Sequence, residues 1–126
     1  MKVKCINFYN LATKSFENSS SSLTLHNEYL VLEIIIEPNK NVLYRLVGDG
    51  RSGSPALFDA KSFEISSDSL PSNWSVCQDQ DTLHFSPKSW QQPGFWENCY
   101  EGDPEALEIY KREARIIYEE EGVYDF

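Results

Sequence analysis

Few side chains in this sequence could do chemistry: two histidines, His26 and His84, three cysteines, Cys5, Cys77 and Cys99, and a serine, Ser86, two positions from His84. On a strand, His84 and Ser86 share a face, which sets a base beside a nucleophile. A hydrolytic site also needs a third group to orient the base, and none stands at a fitting spacing. A histidine with Cys77 or Cys99 offers donors that zinc accepts, but no two of them have the short spacing of a knuckle or helical pair. Asp79 and Asp81, in the run QDQD, lack the glycine and distal glutamate of a calcium loop and read as a solvated turn. The loop GDGRSGSP at 48–55 has no following Gly-Lys-Ser/Thr and opens no helix, so its glycines read as a plain loop rather than a phosphate cradle. The expectation is no catalysis, no metal and no cofactor.

Carboxylates are the abundant reactive class. The 126 residues carry 20 acids against 11 bases, a formal charge of −9. That sign opposes phosphate backbones, whose affinity depends on Lys and Arg displacing counterions, so nucleic acid is not expected as a partner. From residue 97 onward, ten acids face only Lys111, Arg112 and Arg115. Glu119, Glu120 and Glu121 fall at the end of an expected helix, where the dipole favours cations, so each exposed acid there costs on the order of 0.3–1 kcal/mol. Folding has no evident use for them. Their field, added to that of Glu97, Glu101, Asp103 and Asp125, would attract a basic partner and speed its capture.

The stretch WQQPGFWENCYEGDPEA at 90–106 adds aromatic rings to this acidic region. Pro93 and Gly94 force a bend, and the rings read first as a hydrophobic latch between sheet and helix. Two other uses are protein recognition, with Trp96 and Tyr100 as anchors, and a platform for stacking sugars.

These residues need elements to hold them. The length and 40% apolar content suit one domain with its own core. No secretion signal or membrane-length apolar run is visible, and an odd, irregular cysteine set fits reduced thiols in a cytoplasm. Strands are expected at 2–8, at 29–37 as one central strand, at 42–47 in a hairpin with it, and at 57–65, 74–77 and 82–85, arranged as a meander. Asp103-Pro104-Glu105 is a helix start, with an N-cap acceptor, a proline at the first helical position and an acid in the first turn. Leu107, Tyr110, Ala114 and Ile117 then form one apolar stripe, Glu108–Arg112 and Arg115–Glu119 pair at four-residue spacing, and Gly122 stops the helix. The fold class is therefore α+β: an antiparallel meander-type sheet packed against a C-terminal amphipathic helix.

The tail FWENCYEGDPEALEIYKREARIIYEEE resembles the C-terminal region of the small immunity proteins that accompany bacterial polymorphic and contact-dependent growth-inhibition toxins. The shared elements are the pair Phe95 and Trp96, the acidic linker, and Asp103-Pro104-Glu105-Ala106 opening an amphipathic helix. The resemblance implies a cytoplasmic inhibitor that binds a toxin domain, often a nuclease with a basic cleft. The partner-binding residues expected from charge and aromatic character are Trp96, Glu97, Tyr100, Glu101, Asp103, Glu119, Glu120, Glu121 and Asp125. The competing expectation is a small-ligand or carbohydrate-binding domain, or a small enzyme, built on the Trp/Tyr cluster.

Overall fold

In the computed structural model, which describes residues 1–50 and 53–123, the apolar run at 29–37 does not form one strand. It breaks between Glu28–Leu30 (β4) and Glu33–Ile36 (β5), which belong to different sheets. At the break Val31 and Leu32 are both fully buried, yet they enter two separate cores. The Val31 amide donates to the Met1 carbonyl (3.0 Å) and the Leu32 amide to the Arg45 carbonyl (2.8 Å), so the crossing leaves neither group unpaired. A regular strand sends alternate side chains to opposite faces of one sheet, whereas here the change of sheet gives each neighbour its own core.

The remaining strands are Lys2–Cys5 (β1), Phe8–Asn10 (β2), Ser15–Glu17 (β3), Val42–Val47 (β6), Pro55–Asp59 (β7), Phe63–Ser67 (β8), Trp74–Asp79 (β9) and Thr82–Pro87 (β10). Two helices follow, Phe95–Tyr100 (α1) and Pro104–Glu120 (α2). A five-stranded antiparallel sheet has the order β7-β6-β5-β10-β9, a three-stranded one β4-β1-β8, and β2 and β3 form a separate hairpin. The fold is α+β. Consecutive strands pair as in the expected meander for β5, β6 and β7 and for β9 and β10, while β10 rather than β8 lies beside β5. The expected strand at 57–65 is also divided, by a 3-10 turn at Ala60–Ser62 that carries the chain from one sheet to the other. The buried Asp59 caps that turn, accepting from the Lys61 amide at 2.8 Å.

Val3, Cys5, Tyr29 and Phe63 of the smaller sheet meet Tyr44 and Leu46 of β6, making a sandwich core. The second core lies under α2. Asp103 caps this helix, accepting from the Ala106 amide at 2.9 Å, with Pro104 next to it. At the other end Gly122 takes φ +80°, and the Gly122 and Val123 amides close onto the carbonyls of Glu119 and Tyr118 at 3.0 and 2.9 Å. Both ends match the sequence reading. The fully buried stripe is Ala106, Tyr110, Ala114 and Ile117, and the expected Leu107 packs half-buried against the same core. The Cys99 thiol of α1 donates to the Ala106 carbonyl at 3.6 Å, joining α1 to the first turn of α2.

The expected pairs Glu108–Arg112 and Arg115–Glu119 do not form among the described residues. Arg112 instead lies 3.7 Å from Glu113. The Glu113 carboxylate also accepts from Asn73 at 2.9 Å, so it serves a link between α2 and the loop before β9. No helix among the described residues is long and apolar enough to cross a membrane.

Candidate functional site

Helix α1 is where the acidic and aromatic residues of the sequence reading come together. Gly94, at φ +77°, turns the chain into it, a left-handed conformation that glycine adopts without a Cβ clash. Phe95 and Cys99, four apart, point into the core, while Trp96 and Tyr100, also four apart, meet Arg45. Glu97, Asn98 and Glu101 are left in solvent.

The aromatic stretch is a latch. Trp90 is 2% exposed and stacks on Tyr110 of α2, with ring centroids 5.5 Å apart, and on Phe95 at 6.3 Å. Trp96 meets Trp90 edge-on at 5.3 Å. The helices thus reach the five-stranded sheet through a layer of rings, with Leu32 buried in the same cluster.

Beside that layer sits an ion pair the sequence reading did not single out. Arg45 donates through Nε to Glu33 Oε1 at 2.8 Å, and the two residues are 7% and 2% exposed. The same guanidinium donates to the Tyr100 hydroxyl at 2.8 Å and stacks 4.0 Å from the centre of the Trp96 ring. The Tyr100 hydroxyl in turn donates a hydrogen bond to the Pro55 carbonyl at 2.7 Å. Its ring is half-exposed, but its hydroxyl is committed to tying α1 to β6 and β7. The signal in the sequence was an acid, Glu33, and a base, Arg45, each inside one of the two apolar runs flanking the turn at 38–41. The hairpin register pairs Glu33 with Arg45.

A cleft of about 320 Å³ opens against this pair. Glu33, Asp79 and Glu97 give its lining three carboxylates against Arg45, with Trp96 and His84 as further walls. His84 stands opposite Cys77 across the β9–β10 ladder. The sequence supplied those two donors, but only the hairpin register made them neighbours. Among the described residues no three His, Cys, Asp or Glu side chains are grouped to hold a metal. Ser86 is buried and within 3.3 Å of the Gln91 amide nitrogen, and no hydrogen bond among the described residues orients His84 toward it as a base. Asp79 ends β9, and Gln80 and Asp81 make the turn into β10. Burial pushes the thiols of Cys5 and Cys99 upward, away from the reactive thiolate.

The acids at the end of α2 divide. Glu121 receives the Met1 α-amino group and the Ser67 hydroxyl, joining the helix end to β1 and β8. Glu120 accepts from the hydroxyl and amide of Ser72, and these bonds, the hydroxyl foremost, hold its carboxyl below the usual range. The expectation that folding has no use for this trio is therefore corrected for two of them: tertiary partners outweigh an unfavourable dipole. The Glu119 side chain is exposed, and its carboxylate makes no hydrogen bond or ion pair among the described residues. Asp103 is exposed but spends one oxygen on the helix cap. Asp125 lies outside the described residues.

Tyr110, in the centre of the ring layer, has its phenol pushed far above its ordinary value by burial, and Tyr44 is raised for the same reason. The folded state keeps these protons while the unfolded chain releases them near pH 10, so stability is full below that pH and falls as pH rises beyond it. Tyr110→Phe is expected to make the alkaline loss shallower in unfolding curves taken at successive pH values. An unchanged slope would show that Tyr110 ionises freely in the fold.

Searches against protein-family models, curated proteins and solved structures find no match to this chain.

Proposed function

We propose that this chain is a stoichiometric protein inhibitor of the immunity-protein kind, capturing a toxin domain with a basic surface through the acidic face carried by α1 and its cleft. One observation carries the reading: a single short helix presents Glu97 and Glu101 to solvent while Arg45 fixes its Trp96 and Tyr100 to the sheet. Fixed aromatic side chains rimmed by charge suit recognition, because little rotamer freedom is lost on contact. Behind Glu97, the carboxylates of Glu33 and Asp79 make the cleft net negative, a receptor for a lysine or arginine side chain. A toxin that acts on nucleic acid carries such cations to hold phosphate, and carboxylates occupying them would exclude substrate. The three cysteines are free thiols, compatible with a cytoplasmic site of action.

The test is Glu97→Lys combined with Glu101→Lys, which spares the cap at Asp103 and the bonded acids Glu120 and Glu121. Capture of the polypeptide encoded by the adjacent gene is expected to slow by about tenfold or more at low salt. Thermal unfolding should stay within about 0.5 kcal/mol of the parent, as for surface changes. Capture at the parent rate, or a neighbouring product with no toxicity, rejects the inhibitor reading.

A further inference from the structure

Leu107, half-buried against the second core, and Pro104 lie with Glu108, Lys111, Arg112 and Arg115 along one face of α2, where an open, shallow groove of about 610 Å³ forms. Three cations against one carboxylate make this strip positive in a chain whose total is −9. The fold does not neutralise it. Arg112 reaches only the edge of Glu113, at 3.7 Å, and neither Lys111 nor Arg115 has an ion-pair partner among the described residues. Lys111 and Arg115 stand four apart on one helix face, where like charges repel and the helix is weakened rather than supported. Both also line a second hollow, with Gly53 and Tyr110, so the two exposed cations lie between two depressions.

We infer that this groove docks a short acidic segment of a partner protein, with an apolar side chain seated on Leu107 and Pro104. The inference does not depend on the inhibitor reading, since it concerns another face with the opposite sign. Local charge complementarity acts within a screening length of about 8 Å at physiological salt. A short segment with a few carboxylates stays inside the positive strip. A nucleic acid is long enough to run past it into the acidic surroundings, and self-association of two strongly negative chains is opposed by their net charge. Leu107 and Pro104 add an apolar requirement that phosphate alone does not meet.

An immobilised array of short peptides, varying the number of acids and the presence of leucine, probed with the labelled full chain, tests the inference. Retention is expected to rise with acid count, to need the leucine, and to fall at least tenfold for Lys111→Glu with Arg115→Glu. The exposed positions leave the fold intact, which far-ultraviolet circular dichroism checks, and Arg115→Lys should retain binding. Retention unchanged by the double reversal, retention of basic peptides instead, or tighter binding of a single-stranded oligonucleotide than of any acidic peptide overturns it.

Discussion

Arg45→Ala is expected to lower the stability of this protein by about 3 kcal/mol, near the lower end for breaking a buried ion pair because the adjoining cleft admits solvent. The substitution leaves Glu33, 2% exposed, without its only ion-pair partner among the described residues. It also removes a donor to Tyr100 and the cation stacked on Trp96, so α1 loses its polar tie to β6. The pair itself is not the source of that figure. Coulomb attraction inside a protein is largely offset by desolvation, so Glu33→Leu with Arg45→Met together should restore most of the stability that Arg45→Ala removes. Denaturant unfolding of Glu33→Leu, of Arg45→Met and of the double variant measures the coupling. A loss below about 1 kcal/mol for Arg45→Ala would place the pair in effective contact with water.

Trp90→Ala should remove a further large increment, about 3–5 kcal/mol, the range for emptying a well-packed aromatic site. Trp90 touches Phe95, Trp96 and Tyr110 at once, so its loss opens a cavity among rings from both helices. The sandwich core around Val3, Tyr29, Tyr44 and Phe63 does not include this residue. Amide exchange in α1 and α2 should therefore accelerate more than exchange in β1 and β6. Equal acceleration everywhere would mean that the two cores open as one unit. Trp90→Phe, which keeps a ring, should cost less than alanine.

Both effects arise at positions whose importance the sequence showed unequally. The concentration of rings at 90–100 was plain, and the latch reading required only that large apolar groups be buried. The helix at Asp103-Pro104 and its stop at Gly122 were legible because caps act through the nearest few residues. The hairpin of β5 with β6 was legible for a similar reason, since a short turn joins adjacent apolar runs.

What only the tertiary structure decided concerns groups distant along the chain. Tyr29 to Glu37 looked continuous because apolar alternation cannot report which sheet each half joins; the break appears only when Val31 and Leu32 meet different cores. Arg45 meets Tyr100 across 55 residues and Glu121 meets Met1 across 120, and no local spacing encodes either. Composition and capping thus determined the fold class, the final helix and the acidic balance, because they depend on intrinsic residue properties and near neighbours. The division of carboxylates into bonded and exposed, and the pairing of Glu33 with Arg45 beside a cleft, were decided by packing, because a charge takes its role from whatever the folded chain brings within a few ångströms of it.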